Sequence, residues 1–225
     1  MLDLDSGALI GYNAKSYIET ASTVKMPFML YSLKCMDKGA AKLNTKVSYT
    51  YQDFNTGSGV VKDNPFGTQF TLSTIFHYVC KYSDNSAYYI LQRTFGIDGY
   101  NKYISSLGCK TSVSLYGNRW GYVSAADSAK EWIQMYDYFK NGKYGSFIKN
   151  ELKNSGFSNF REGLRNKKYN VYSKCGFTSF LHHDTAVIEA EHPYVLICLT
   201  TTVNSERLQN VARAADDIHD EMWRY

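Results

Sequence analysis

The sequence has little of what would indicate a membrane protein or a nucleic-acid-binding protein. Only three of its 225 residues are proline, and no apolar stretch approaches the about 20 residues that a membrane-spanning helix needs. The net charge is only +4, and the densest basic run, Arg165-Asn166-Lys167-Lys168, is short. Such a run favours a solvated turn over a nucleic-acid site. We therefore predict no membrane span and no nucleic-acid partner.

Metal-ligand patterns are equally scarce. The five cysteines are an odd number and scattered, without a CxxC pair or metal-ligand spacing. His182-His183-Asp184 is a short cluster of potential ligands. Neighbouring residues on a strand point to opposite faces, so the two imidazoles would not easily share one ion. The sequence therefore predicts no metal site and no cofactor.

The length of the chain allows one sizeable core, in one domain or in two intimately packed subdomains. The first residues, Met1-Leu2-Asp3-Leu4, already have the pattern of a strand, and no signal-peptide pattern precedes them. We expect the natural protein to have further sequence upstream.

The apolar patterning predicts an α+β fold. Two short strands, at residues 2–4 and 8–12, precede a buried helix over 23–37 and a block of further helices. The helices of this block are predicted at residues 72–82, 85–94, 98–107, 124–141 and 146–153. Three strands and a last helix follow, at residues 170–175, 184–190, 194–201 and 205–223. Because strands occur at both ends of the chain, we expect one sheet with the helical block as an excursion from it.

The segment Ser22-Thr23-Val24-Lys25 places a hydroxyl at the start of a helix and an amine three residues later, on the same face. Serine becomes a good nucleophile when a base takes its proton, and a desolvated lysine with a lowered pKa can do so. The backbone N–H groups at a helix N-terminus can also stabilise a developing oxyanion. The same spacing recurs at Ser146 and Lys149, where we predict an ordinary exposed helix turn.

Two later segments could complete such a site. Ser83-Asp84-Asn85 lies between two predicted helices, where Ser83 can relay a proton to a leaving nitrogen and Asn85 can hold a substrate amide. Helix-capping clusters have the same composition, so this segment alone decides little. Lys174-Cys175-Gly176 ends a predicted strand, where the lysine can hold a carboxylate. An ordinary turn at a strand end is the alternative there.

In this order, the three segments resemble the S-x-x-K, S-D-N and K-T-G motifs of penicillin-binding proteins and serine β-lactamases. The resemblance covers nearly the whole chain and is closest to the class A β-lactamase domain. It implies an antiparallel sheet flanked by helices plus an all-helical subdomain, with the active site in the cleft between them. The sheet subdomain would then comprise residues 1–38 and 165–225, and the helical one residues 39–164. The family's first helix is missing from this chain, which should leave an apolar face of the last helix uncovered or covered by a partner.

The resemblance also implies roles for individual residues. Ser22 would attack, Lys25 would accept its proton and Ser83 would relay a proton. The substrate would be bound by Asn85, Lys174, Cys175, Gly176 and Phe177. The backbone N–H of Phe177 would share the oxyanion hole with that of Ser22, and its ring would crowd the mouth of the site.

Three departures from the family pattern bear on activity. Class A enzymes have a deacylating glutamate in the loop that here comprises residues 114–122, which contain no acid; Glu131 comes too late, inside the next helix. Cys175 replaces a Thr or Ser whose hydroxyl would bind the substrate carboxylate, and a thiol is a weaker donor. His182 and His183 are the nearest candidates for the arginine that often supports that carboxylate.

The sequence therefore predicts a serine acyl-transfer hydrolase that reacts with β-lactams or D-Ala-D-Ala-like peptides through an acyl-Ser22 intermediate, with slow deacylation. One alternative is a catalytically degenerate module that binds cell-wall fragments or a partner protein. Another is a serine-dependent amidase of the glutaminase type. The resemblance implies an extracytoplasmic location, secreted, periplasmic or on the cell surface. The partner would be a small-molecule β-lactam or a peptidoglycan peptide, and a homo-oligomer is allowed.

Overall fold

The structure, a computed structural model, describes residues 1–114 and 117–224. The described residues form eight α-helices: α1 Lys25–Asp37, α2 Leu72–Lys81, α3 Asn85–Phe95, α4 Ile97–Ser106, α5 Ala125–Asn141, α6 Gly145–Lys153, α7 Asn159–Gly163 and α8 Ser205–Met222. They also form eight strands: β1 Leu2–Asp3, β2 Tyr17–Glu19, β3 Lys46–Ser48, β4 Gln69–Thr71, β5 Tyr122–Ser124, β6 Asn170–Phe177, β7 His182–Glu189 and β8 Tyr194–Cys198.

Strands from both ends of the chain meet in one antiparallel sheet with the order β1-β8-β7-β6. Leu2 pairs with Val195, and in the long β6–β7 ladder Phe177 pairs with His182. Two small antiparallel pairs, β2–β5 and β3–β4, lie outside this sheet. The α+β class and the antiparallel sheet flanked by helices are confirmed.

The two faces of the sheet contribute to two cores. Ala186, Ile188 and Leu196 pack with residues of α7 and α8. Val187 and Val195, which alternate with them along β7 and β8, pack with the larger core formed by α1 to α6. This alternation explains the unbroken apolar runs at residues 186–188 of β7 and 194–197 of β8, because a sheet covered on both faces needs apolar residues on both.

Helix α1 is buried on almost all sides, as its apolar residues predict. Pro27 lies in its first turn, where the missing backbone N–H leaves no helical bond unmade. The helix packs against α3, α4 and α5. Ser22 and Lys25, at its N-terminal end, are therefore held by a rigid central element.

The strand predicted at residues 8–12 is wrong. Leu9 forms an isolated bridge with Leu2, and although Ala8 and Ile10 share backbone hydrogen bonds with Asp3 and Met1, no longer ladder forms there. Leu9, Ile10 and Tyr12 are exposed, so this segment has no buried face that would fix a strand register.

Helix α8 has an exposed apolar stripe, as the sequence analysis expects. Val211 and Ile218 are 39% and 42% exposed, and Ala214 lies between them on the same face. What covers this stripe in the natural protein stays a prediction, as does the division into residues 1–38 plus 165–225 and 39–164. Within the described ranges, no helix has both the length and the apolar character needed to cross a membrane.

Candidate active site

Ser22 lies in a short 3₁₀ turn, Ala21–Val24, that leads directly into α1. The turn is fixed by Thr23, whose backbone N–H and hydroxyl both donate to the carbonyl of Thr20, at 3.1 and 2.7 Å. Ala21 has a φ of +46°, in the left-handed region that costs a residue with a Cβ about 1–3 kcal/mol. Ser83 shares this conformation with a φ of +50°. Strain of this kind is concentrated at functional sites.

Lys25 is fully buried and extends from the first turn of α1 into a partly buried polar cluster. Its Nζ lies 3.0 Å from Ser22 Oγ and 3.2 Å from Ser83 Oγ. It also donates to the carbonyl oxygen of Ser83 at 2.5 Å and to Asn85 Oδ1 at 2.6 Å. These two shortest contacts are with oxygens that can only accept a hydrogen bond. A neutral amine that donates to both keeps its lone pair for the hydroxyl proton of Ser22.

The surroundings of Lys25 favour this neutral form. Burial lowers the pKa of Lys25 well below its ordinary value of 10.5, and the nearby ammonium of Lys174 lowers it further. Both effects disfavour a second positive charge in a buried space. Lys25 therefore has the position and the lowered pKa that a base for Ser22 would need.

The turn between α2 and α3 brings Ser83 and Asn85 to the same place. Asp84 caps α3 by accepting from Ala87 N at 2.8 Å. Its other carboxylate oxygen accepts from the backbone N–H groups of Val60 and Val61, at 2.6 and 2.8 Å. Asp84 therefore joins the turn to the loop before it and holds the neighbouring side chains in place.

Asn55 and Ser58, which the sequence analysis did not assign to the site, complete the side of the site formed by Ser83 and Asn85. Asn55 Oδ1 accepts from Asn85 Nδ2 at 2.9 Å, and Ser58 Oγ donates to the carbonyl oxygen of Ser83 at 2.9 Å. The backbone of the loop at Gly57 lies so close to Asn85 that a Cβ on Gly57 would be 2.3 Å from Asn85 Nδ2. The Gly57-Ser58-Gly59 pattern was the available signal, because a serine between glycines indicates close backbone contact.

Strand β6 forms the opposite wall. Lys174 is buried, and its Nζ donates to Ser83 Oγ at 3.0 Å and to the carbonyl oxygen of Cys175 at 2.8 Å. Gly176 lies against the nucleophile turn, where a Cβ would come within 2.6 Å of the backbone nitrogen of Ser22. Ser83 Oγ thus lies within hydrogen-bond reach of both lysine amines, a geometry suited to passing a proton between them.

Cys175 and Phe177 lie two residues apart on the same face of β6 but differ in exposure, because Phe177 is at the end of the strand. The side chain of Cys175 is buried, and burial raises the pKa of its thiol. Phe177 is 60% exposed at the end of β6. The contacts of both residues with substrate stay predictions.

His183 does not fill the role suggested for it as a support of a substrate carboxylate. It is fully buried; its Nε2 lies 2.9 Å from the carbonyl oxygen of Glu19, and its Nδ1 accepts from Thr200 N at 3.0 Å. Both ring nitrogens are therefore occupied by backbone groups. His182 points to the other face of the sheet, where its Nε2 accepts from Asn159 Nδ2 at 3.0 Å.

The loop of residues 114–122, whose sequence contains no acid, places the ring of Trp120 beside Lys25. The ring centroid of Trp120 lies 5.1 Å from Lys25 Nζ. Thr20 anchors the loop, because its hydroxyl donates to the carbonyl of Trp120 at 2.6 Å and its N–H to that of Gly121 at 3.0 Å. Leu115 and Tyr116 of this loop lie outside the described residues.

The second Ser-x-x-Lys pair lies elsewhere, within α6. There Lys149 forms an ion pair with Glu189 of β7 at 2.8 Å. Because Lys149 already has a carboxylate partner, it is not a base for Ser146. In the described ranges, no group of three or more His, Cys, Asp or Glu side chains could hold a metal ion.

Comparisons with known proteins agree with this geometry. A sequence model described as the beta-lactamase enzyme family (Beta-lactamase2) matches residues 1–222. No curated protein matches the sequence.

Solved structures share the fold at low identity. One, "Structure of PBP-A", has a TM-score of 0.90 and 17% identity, covering 98% of this chain and 88% of the other. A second, a mutant of PBP-A as an acyl-enzyme complex with penicillin G, has a TM-score of 0.88 and 18% identity over the same shares. The putative class A β-lactamase PenP from Rhodopseudomonas palustris has a TM-score of 0.80 and 22% identity, covering 98% of this chain and 92% of its own.

Proposed function

The chain belongs to the beta-lactamase enzyme family, a family of serine hydrolases, and on that premise we propose that Ser22 is acylated by β-lactams or D-Ala-D-Ala-like peptides and released slowly. One observation carries the proposal: Lys25 Nζ, fully buried, lies 3.0 Å from Ser22 Oγ and has its other short contacts with oxygens that only accept. The serine thus has a base within reach, which a helix cap would not need.

The proposed reaction begins when Ser22 Oγ attacks the substrate carbonyl and its proton passes to Lys25. The backbone N–H groups of Ser22 and Phe177 receive the oxyanion. Ser83 Oγ, 3.2 Å from Lys25 Nζ and 3.0 Å from Lys174 Nζ, then delivers a proton to the leaving nitrogen. Asn85 binds the substrate amide, and Lys174, Cys175 and Gly176 line the β6 side.

Slow release follows from the loop that contains Trp120. The segment 114–122 contains no acid, and its described part places Trp120 beside Lys25. Loss of a general base costs about 10²–10⁴-fold in rate. The acyl-enzyme should therefore accumulate, and efficient β-lactam turnover should not occur.

A chromogenic cephalosporin tests the proposal. Its absorbance should show a burst of about one equivalent per Ser22, followed by a slow steady state. Continuous fast turnover would contradict slow release. No burst, with no release of D-Ala from an acyl-D-Ala-D-Ala peptide, would favour the binding module. Fast release of ammonia from glutamine without a burst would favour the amidase.

The extracytoplasmic location belongs to the same proposal, because peptidoglycan peptides lie outside the cytoplasmic membrane. Fractionation of the source cells tests it. The catalytically degenerate module has support from the buried thiol at Cys175, but the contacts between Lys25, Ser22, Ser83 and Asn85 oppose it.

A further inference from the structure

The side-chain amide of Asn85 is held between Asn55 and Lys25, with one end against each. Its Oδ1 accepts from Lys25 Nζ at 2.6 Å, and its Nδ2 donates to Asn55 Oδ1 at 2.9 Å. The two ends of an asparagine amide have nearly the same shape but opposite hydrogen-bonding character. Which end faces Lys25 therefore depends on what Asn55 presents to the other end.

A backbone group fixes the orientation of Asn55 itself. Its Oδ1 also accepts from the backbone N–H of Gly57 at 2.8 Å, and a backbone N–H can only donate. Its Nδ2 donates to the hydroxyl of Tyr89 at 3.2 Å, and its backbone N–H donates to Ser86 Oγ at 3.1 Å. The oxygen of Asn55 is therefore the atom that faces Asn85.

An ordered series of donors and acceptors thus runs from Gly57 to Lys25. The N–H of Gly57 binds the oxygen of Asn55, and the same oxygen binds the nitrogen of Asn85. The oxygen of Asn85 is thereby turned towards Lys25. A rotated Asn85 amide would set its oxygen against that of Asn55, with no proton between two partly buried acceptors. Because unpaired acceptors of this kind are unfavourable, the observed orientation is preferred.

The orientation of the Asn85 amide decides what the amine of Lys25 can do. A neutral amine has two protons and one lone pair. Asn85 Oδ1 and the carbonyl oxygen of Ser83 use the two protons. The lone pair is then available for the hydroxyl proton of Ser22, whose Oγ lies 3.0 Å away. If the Asn85 amide were rotated, one of its N–H groups would point at Lys25 and occupy that lone pair instead.

We propose that Asn55 is a positioning residue for the base: it fixes the Asn85 amide so that an acceptor, and not a donor, faces Lys25. The inference rests on the proposed acylation of Ser22. Asn55 acts through Asn85 and exchanges no proton in the reaction. The same orientation directs the second N–H of Asn85 to the substrate amide that this residue binds in the proposed mechanism.

Two variants of Asn55 separate the effect of the acceptor from that of charge. Asn55→Leu has almost the same size and no acceptor, so the Asn85 amide can rotate. We expect the plateau rate in the pH profile of acylation by penicillin G to fall by at least about tenfold. Asn55→Asp keeps the acceptor, and its plateau rate should stay within about threefold of that of the original chain. Its negative charge favours the ammonium form of Lys25, so this plateau should be reached about one pH unit higher.

Asn64→Leu is the control for a general loosening of the same β3–β4 connection. Asn64 Nδ2 donates to the carbonyl oxygens of Val60 and Val61, at 3.0 and 3.2 Å. We expect the acylation rate of this variant to stay within about threefold of the original. Equal losses in Asn64→Leu and Asn55→Leu, or a plateau rate in Asn55→Asp as low as that of Asn55→Leu, would overturn the positioning role.

The outcomes also separate this inference from the proposed function. If penicillin G acylates neither the original chain nor the Asn55 variants, the proposed function fails. If it acylates the original chain and Asn55→Leu at the same rate across the pH range, the proposed function stands and the positioning role of Asn55 is wrong.

Discussion

The ring centroid of Trp120 lies 5.1 Å from Nζ of Lys25, within the loop in which class A β-lactamases have a deacylating glutamate. In the proposed mechanism, the site thus combines a base for Ser22, Lys25, with an apolar ring where a second base would be needed. An aromatic face tolerates a nearby ammonium but cannot accept a proton from water. Acylation and deacylation are therefore expected to respond differently to changes in this loop.

Trp120→Glu should speed the release of the acyl group, because it puts a carboxylate next to the Lys25–Ser22 pair. Trp120→Gln is the matched control, with almost the same size as the glutamate and no charge. We expect the half-life of the penicilloyl adduct to shorten by at least about tenfold in Trp120→Glu relative to Trp120→Gln. Equal half-lives would show that the missing acid is not what limits release. Intact mass followed over time gives both values.

The pH dependence of acylation should report the buried amine of Lys25. The reaction needs the neutral amine, so its rate should rise with pH and level off once Lys25 is deprotonated. Because burial and Lys174 lower the pKa of Lys25, this plateau should be reached well below pH 10.5. Lys25→Arg keeps the positive charge at every accessible pH and should lower the rate by about 10²–10⁴-fold. A rate that still rises at pH 10.5 would contradict this assignment.

Gly176→Ala should impair the nucleophile without removing any functional group. The added Cβ would lie 2.6 Å from the nitrogen of Ser22 and 2.9 Å from that of Thr23, so the backbone must shift. Displacements of about 1 Å in a catalytic site cost about 100-fold in rate. Gly11→Ala is the control, since its Cβ meets only Ala14 at an ordinary 3.4 Å. Stopped-flow acylation of both variants checks the prediction, and an unaffected rate in Gly176→Ala would refute it.

Glu131 should make the stability of the fold depend on pH. Burial, with a smaller effect of the Asp127 carboxylate, raises the pKa of Glu131 from 4.5 to about 8. Between these values the folded protein holds a proton that the unfolded chain releases, so the free energy of unfolding falls as pH rises. Cys109, Tyr100 and Tyr103 also face this carboxyl group.

Glu131→Gln should remove that pH dependence. We expect its free energy of unfolding to match that of the original chain within about 1 kcal/mol at pH 4.5 and to exceed it by about 2–3 kcal/mol above pH 8. Urea denaturation at the two pH values measures the difference. Glu206→Gln, at an exposed position of α8, should show no such change. A constant difference at both pH values would mean that Glu131 does not titrate in this range.

Much of the fold could be predicted because its signals are local. The helices and the three late strands follow from apolar periodicity, and the observed ends of α3 and α8 differ from the predicted ones by single residues. Apolar patterning predicted a strand at residues 8–12 that does not form, because the apolar residues of this segment are exposed and have no core to face. Whether a short segment pairs depends on what covers it.

The residues of the site also differ in whether a local sequence pattern predicts their contacts. Ser22 and Lys25 are three residues apart at the start of one helix, so their contact follows from helix geometry. Trp120 comes close to Lys25 only through loop packing, which no local pattern encodes, and for Asn55 the neighbouring Gly57-Ser58-Gly59 pattern was the one available signal. His183 was wrongly expected to support a substrate carboxylate. Both of its ring nitrogens form hydrogen bonds with backbone groups, which its position in the sequence does not reveal.

The central claim, that Ser22 forms an acyl-enzyme, is tested most directly by intact mass after incubation with penicillin G. The original chain should gain the mass of one penicillin G molecule and keep it after removal of free drug, with the adduct mapped to Ser22. Ser22→Ala should gain nothing. An adduct of equal yield in Ser22→Ala, or none in the original chain, would contradict the account.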